Sequence, residues 1–189
     1  EAIKRDDGKS WQPCAFYAQY LEQQMRNYQK AEIYYLKALA MKPGTSVYVD
    51  YGNMLKNKVE DHKRALDVYS KLCEIKPNKS EYVLQSAHCY ELLEDVENAE
   101  ECYLKAIEMT DGKRMKPICW YADWLRDVKK DYEGAKEYYF KAIDIKPNYC
   151  SAYYGLAKMY RDCMRDYNES KKWYLKSLEI DDKNYNASY

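Results

Sequence analysis

The sequence has 189 residues, with 31 Lys plus Arg against 31 Asp plus Glu, 47% hydrophobic residues, and only 6 Gly and 5 Pro. This composition excludes a disordered chain, favours helices over a sheet, and gives no net positive charge to attract nucleic acid or an anionic membrane. No apolar run is long enough to cross a membrane, so we expect no membrane-embedded part.

Residues 1–10 are polar and lack the apolar core of a signal peptide, so we predict a short lead-in before the first helix. The chain does not begin with Met, which indicates a processed chain or an excised fragment. The 7 Cys are odd in number and form no C-x-x-C pair, so we expect buried thiols rather than disulfides or metal ligands. Such thiols favour a reducing, intracellular location, and we predict a cytoplasmic protein.

From residue 11 onwards the pattern predicts helices in pairs, and the second helix of each pair has the clearest signature. A small residue is followed four positions later by an aromatic one, and seven positions later by a residue that is usually small. These spacings place the three side chains on one helix face. The opening small residues are Ala31, Ala65, Ala99, Ala135 and Ser170, and the aromatic residues are Tyr35, Tyr69, Tyr103, Tyr139 and Tyr174.

The first helix of each pair also contains a small residue. A large side chain usually stands immediately before it, and Leu or Tyr stands three positions after it. Small residues let two helices approach closely, while their large neighbours fill the space beside them. These small residues are Ala18, Gly52, Ala87, Ala122 and Ala157.

The helix pairs recur with a nearly fixed period, because successive second helices begin 34, 34, 36 and 35 residues apart. Three copies end in a proline, Pro43, Pro77 and Pro147, which stops the helix. A period of this length is typical of stacked repeats, in which each pair covers the apolar face of its neighbour. We predict five repeats, at about residues 11–43, 44–77, 78–116, 117–147 and 148–182, and a tail at 183–189.

This pattern resembles the tetratricopeptide repeat (TPR) family over residues 11–182, which is almost the whole chain. The resemblance implies an all-α fold, a right-handed α-solenoid of antiparallel helix pairs in a single domain. Four repeats carry 13 residues between their two small residues, and only Ala87 to Ala99 has the family's usual 12. We expect the extra residue to lengthen a loop, at a cost of only a few tenths of a kcal/mol.

Nothing in the sequence indicates catalysis, a metal site or a cofactor. The two histidines, His62 and His88, belong to different repeats, and neither has Cys, Asp or Glu at a recurring metal-ligand spacing. The glycines are scattered singly, so they form no phosphate-binding loop. We therefore predict a non-catalytic protein.

The resemblance implies that a partner peptide or helix binds in a concave groove lined by the first helices. The matching positions lie one turn before, at, and one turn after the residue that follows each small one. The alternative is a solvated face held by local salt pairs, such as Asp123 with Arg126. The predicted groove residues are Val49, Asn53, Lys56, Leu84, His88, Glu91, Asp123, Arg126, Tyr154, Lys158 and Arg161, with Ala15, Gln19, Glu22 and Cys119 at equivalent positions.

One known TPR ligand does not fit these positions. Cochaperones of the family hold the C-terminal carboxylate of Hsp70 or Hsp90 with Lys, Asn and Arg side chains, and only Asn53 matches here. Without paired cations, a carboxylate would lose its hydration and gain no partner. We predict that this chain is not such a clamp.

The leading interpretation is a scaffold or adaptor that binds another protein within a larger assembly, without direct nucleic-acid or membrane contact. YAQYLE at 17–22 and YADWLR at 121–126 also resemble the half-a-TPR family, which leaves an RNA-processing scaffold as an alternative. A further alternative is the targeting module of a larger enzyme. The last repeat is expected to expose Tyr160, Trp173 and Leu178, which predicts self-association or further repeats at that edge.

Overall fold

The computed structural model describes residues 10–41 and 44–186, with side chains described as far as residue 181. Within these residues every regular element is helical, which confirms the predicted all-α TPR fold. Pro43 lies outside them, so its predicted role as a helix stop has no structural counterpart here. The helices are α1 (Gln12–Gln23), α2 (Tyr28–Ala40), α3 (Thr45–Met54), α4 (His62–Ile75), α5 (Ser80–Leu92), α6 (Val96–Glu108), α7 (Met115–Trp124), α8 (Tyr132–Ile145), α9 (Cys150–Met159) and α10 (Tyr167–Asn186).

The helices alternate between two kinds, called here A helices (α1, α3, α5, α7 and α9) and B helices (α2, α4, α6, α8 and α10). Each A helix precedes the B helix of its own repeat. The chain forms two compact units, one ending at Ala99 and the other beginning at Glu100. Within the first unit α1 packs on α2 and α3 on α4, and within the second α7 packs on α8 and α9 on α10.

The recurring small and aromatic residues of the B helices form the core of each unit, because their spacing places them on the face that packs against the A helices. Tyr35 and Tyr69 are fully buried in the first unit, and Tyr103 and Tyr139 are buried in the second. Tyr174, at the same position in the last repeat, is only partly buried. The predicted B-helix register is therefore confirmed.

In three of the four repeats with an extra residue, that residue lies in the helix and not in the loop. Three A helices end in a π-helical turn, at Leu55–Val59, Leu125–Lys129 and Tyr160–Met164. A π turn takes up one residue without opening the helix, because its hydrogen bonds span five residues instead of four. In the first repeat α1 ends at Gln23 without a π turn, and four residues separate it from α2, whereas three separate α5 from α6 in the repeat that has no extra residue. The expectation of a longer loop is therefore wrong for these three repeats and confirmed for the first.

Every B helix begins with an Asn or Asp cap, which the repeat pattern above does not include. Each cap accepts a hydrogen bond from the backbone N–H three residues later, at 3.0–3.2 Å, and so satisfies one of the free donors at the helix start. The cap stands four residues before each small residue of the B helix. The capping residues are Asn27, Asp61, Asp95, Asp131 and Asp166.

The last repeat differs from its prediction in two ways. The backbone of α10 continues to Asn186, past the predicted start of the tail at residue 183, because Asp182 stands where three other repeats have a helix-ending proline. Trp173 does not lie at the open edge, since its ring packs 5.7 Å from Phe140 and 6.1 Å from Tyr153. Leu178 is 59% exposed, as expected for that edge.

Replacing Ala106 with Trp should lower the free energy of unfolding by about 1–3 kcal/mol. Ala106 is fully buried one turn after Tyr103, so an indole there forces neighbouring side chains from their packed positions. Urea unfolding followed by circular dichroism measures the change. The control is Lys105→Trp on the exposed side of α6, expected within about 0.5 kcal/mol of the native chain. Equal losses in both variants would contradict this B-helix register.

Candidate functional site

The predicted groove residues lie along the A helices of each unit, and the surface that these helices present within a unit is called here the A-helix face. In the first unit Val49, Asn53, His88 and Glu91 are partly exposed. Leu84, by contrast, is fully buried. It belongs to the core and offers no surface to a partner.

Lys56 is a buried cation at the end of an A helix in the first unit. Its ammonium donates to the Gln85 side-chain oxygen at 2.5 Å and lies 3.2 Å from His88 Nδ1. The Tyr69 hydroxyl beside it donates to Asn53 Oδ1 at 2.7 Å. Lys56 thus joins two consecutive A helices, α3 and α5, through its side chain.

His88 remains neutral at moderately acidic pH. Burial, followed by the charges of Lys56 and His62, lowers its pKa to about 4. Because the folded chain binds the proton less tightly than the unfolded chain does, this group stabilises the fold fully above about pH 6.5 and loses that contribution as pH falls through 4.

We expect the free energy of unfolding to fall between pH 6.5 and 4 by more in the native chain than in a His88→Gln variant. Urea unfolding at several pH values measures both. An NMR titration that gave His88 a pKa near its usual value would contradict the expectation. Lys56→Met should move the pKa of His88 upwards, because it removes the neighbouring positive charge.

The equivalent residue in the second unit is Arg126, whose side chain is 3% exposed. Its guanidinium lies 2.7 Å from Asp123 Oδ1 and makes two hydrogen bonds to Asp127, at 2.7 and 2.6 Å. It also donates to the Tyr139 hydroxyl at 2.5 Å. The salt pair expected between Asp123 and Arg126 is present, but its cation is buried rather than solvated.

Tyr139 connects the B-helix core to this charged group. Burial and the Asp123 carboxylate raise its pKa, so the hydroxyl stays protonated and donates to Asp123 at 2.6 Å. The hydrogen bond from Arg126 lowers the pKa of Asp127, which therefore stays ionised at neutral pH. The two carboxylates are held in fixed positions, with 45% of the Asp123 side chain and 48% of the Asp127 side chain exposed.

A cavity of about 440 Å³ lies between α7 and α9 and is called here the α7–α9 cavity. Five residues at predicted groove positions line it, and among them Tyr154 is 53% exposed while Lys158 is 37% exposed. Arg161, in the π-helical turn that follows α9, does not line it and pairs with Asp162 at 2.6 Å. The five lining residues are Cys119, Asp123, Arg126, Tyr154 and Lys158.

Sequence reasoning missed the five other residues that line the cavity: Trp120, Asp127, Tyr149, Ser151 and Gly155. The sequence did contain a sign that Gly155 is unusual. It stands two positions before the small residue of its A helix, and at this position the other repeats have a side chain: Phe16, Asp50, Gln85 and Trp120. A Cβ atom at Gly155 would overlap with the ring of Tyr139. Only glycine lets α9 approach Tyr139 this closely.

In the described part of the chain no three His, Cys, Asp or Glu side chains come together in a way that would hold a metal ion. Among the same residues, no helix is both long and apolar enough to cross a membrane.

The sequence profile of the tetratricopeptide repeat family matches residues 14–45, 80–111, 129–149 and 151–184, which is more than half of the chain. The chain belongs to the tetratricopeptide repeat family. TPR proteins are generally non-catalytic scaffolds for protein interaction, and membership of the family supports that general role for this chain. No curated protein matches the sequence of this TPR protein.

Several solved structures share the fold of this TPR protein. A thermophilic TPR protein of Thermus thermophilus is 15% identical, with a TM-score of 0.69 and 94% of each chain covered. MamA residues 41 to the end, from Desulfovibrio magneticus, is 16% identical, with a TM-score of 0.66 and coverage of 93% of this chain and 97% of that one. YrrB, a TPR protein with an unusual peptide-binding site, is 18% identical, with a TM-score of 0.57 and coverage of 89% and 84%. At these identities the likeness concerns the fold.

Proposed function

We propose that this TPR protein is a non-catalytic scaffold that binds a partner peptide or helix on its A-helix face, within a larger assembly. The α7–α9 cavity carries the proposal, because it combines a concave surface with an exposed aromatic ring and both signs of charge. Such cavities, with a few converging polar groups, are the usual places of ligand binding. The peptide-binding site of YrrB, which has the same fold, supports a peptide as the ligand.

The test begins with a selection from a displayed library of random peptides on the intact, immobilised chain. Fluorescence polarisation then compares the Kd of a selected peptide for the native chain and for Tyr154→Ala. Because Tyr154 is an exposed aromatic residue at the cavity, its loss should weaken binding about tenfold or more. Unchanged binding to Tyr154→Ala would contradict the proposed site.

Leu104→Ala is the matched control for this experiment. Leu104 is similarly exposed but lies on the B helix α6 of the same unit, away from the A-helix face. Its removal should leave the Kd unchanged. Loss of binding in this variant alone would place the ligand on the B helices. Tight binding of a single-stranded RNA, with no peptide selected, would favour the RNA-processing alternative.

We also infer that α10 takes part in self-association, because Leu178 is exposed on this last helix. The residues at the same position of the earlier repeats are partly or fully buried, as expected where a following repeat covers them: Leu39, Cys73, Ile107 and Ile143. Sedimentation velocity over a wide concentration range tests the inference. A concentration-dependent dimer that Leu178→Glu abolishes is expected, and strictly monomeric behaviour of the native chain would contradict it.

A reducing, intracellular location is the remaining part of the proposal. Cys89 and Cys119 are buried thiols, and burial raises the pKa of Cys89 to about 11 and that of Cys119 to about 12. Thiols with such values stay protonated and behave as small apolar side chains. Both would be poor partners for the disulfides that stabilise secreted proteins.

A further inference from the structure

Side-chain hydrogen bonds join consecutive A helices at two places in the first unit. In both, the residue on the later helix that takes part in the bond stands two positions before the small residue of that helix. Gln19 of α1 donates to Asp50 of α3 at 2.8 Å. Lys56, just after α3, donates to Gln85 of α5 at 2.5 Å. In both cases an N–H donor on the earlier helix meets an oxygen acceptor on the later one.

The corresponding position between α7 and α9 has no side chain, because it is Gly155. No group reaches from this position on α9 across to α7, and the α7–α9 cavity lies beside it. Asp123 and Asp127 on the α7 side are 45% and 48% exposed and offer only acceptor oxygens. A group that pairs further with these two carboxylates must be a donor.

The charges that a ligand meets in the cavity are unequal, although the four charged lining residues sum to zero. Arg126 is buried, and its donors are used by Asp123, Asp127 and Tyr139. Among the described residues that line the cavity, Lys158 is the one cation with an exposed side chain, and its ammonium lies 3.8 Å from Asp127. A pair this long and this exposed contributes little, so Lys158 can move aside at small cost.

We propose that the α7–α9 cavity takes a basic side chain, Arg or Lys, from the partner peptide. Its cationic head would donate to the half-exposed carboxylates of Asp123 and Asp127. Its aliphatic stem would lie against the exposed ring of Tyr154. This inference rests on the proposed function and specifies the partner chemistry of that site.

The experiment titrates the intact, nitrogen-15-labelled chain at low salt with three small probes: the N-acetyl, N′-methylamide derivatives of arginine, glutamate and norleucine. Backbone amide shifts in α7 and α9 report binding. We expect saturable shifts with the arginine probe and much weaker ones with the other two. Stronger binding of the glutamate probe, or equal binding of norleucine and arginine, would overturn the proposal.

Two variants test the charge argument in opposite directions. Lys158→Ala removes the competing cation and should tighten arginine-probe binding about 2- to 5-fold. If the cavity instead took acidic ligands, the same substitution would weaken the binding of the glutamate probe. Asp127→Asn should weaken arginine-probe binding about tenfold. Asp162→Asn is the matched control, because Asp162 makes the same bidentate pair with Arg161 but does not line the cavity. Its probe affinity should equal that of the native chain.

The same variants separate this inference from the proposed function. A selected peptide that needs Tyr154 for binding, but lacks a basic residue and is indifferent to Lys158→Ala and Asp127→Asn, would overturn the inference and leave the proposed function standing. A selected peptide whose basic residue cannot be replaced by norleucine without loss of affinity supports both.

Discussion

Tyr139→Ala is expected to lower the free energy of unfolding by about 3–5 kcal/mol. The ring is fully buried between the helices of the second unit, and its hydroxyl connects Asp123 and Arg126. Removing it leaves a cavity in the core and takes one hydrogen-bond partner from each of these charged residues. Urea unfolding monitored at 222 nm, at neutral pH, measures the loss.

Tyr174→Ala is the control for this prediction. Tyr174 has the same position in the last repeat but is only partly buried. A tyrosine that already contacts water leaves a smaller cavity, so its removal should cost clearly less than that of Tyr139. Equal losses would mean that the last repeat is packed as tightly as the fourth and that α10 has no open edge.

Arg126→Ala is expected to cost about 3 kcal/mol, the lower end of the range for breaking a buried ion pair. The lower end applies because Asp123 and Asp127 are about half exposed and regain water when the guanidinium is lost. The same substitution should also broaden the amide signals of the π-helical turn Leu125–Lys129, since Arg126 fixes that turn against α8.

Arg161→Ala tests whether burial, rather than the charge pair itself, causes the effect at Arg126. Arg161 occupies the same position in the last repeat and makes the same bidentate contact to the following Asp, but about half of its side chain is exposed. Exposed pairs of this kind rarely contribute to stability. Its unfolding midpoint should match that of the native chain, and a loss as large as that of Arg126→Ala would contradict the argument from burial.

The helix register was predictable because its cause is local. A small residue and an aromatic residue four positions apart, as at Ala135 and Tyr139, can be buried together only on one face of a helix. The Asp and Asn caps could have been predicted in the same way, since Asp131 and its counterparts stand four positions before the small residue of each B helix. The position of the extra residue could not be predicted, because a loop and a π turn accommodate one residue at similar cost.

The exposure of the site residues was less predictable than their place on the A helices. Spacing puts Leu84 and Tyr154 at the same position of their repeats, yet Leu84 is buried and Tyr154 is exposed. The difference depends on the neighbouring helices and not on the A helix itself. The α7–α9 cavity depends on a missing side chain at Gly155, and a search for side chains with chemical function passes over a glycine.

The measurement that tests the central claim most directly is amide chemical-shift mapping of the intact, nitrogen-15-labelled chain with a peptide selected for binding. The proposed function predicts that the shifts cluster on the A helices, with Tyr154 and Lys158 among the residues that move furthest at saturation. Shifts confined to the B helices, for example around Leu104, with α7 and α9 unaffected, would contradict it.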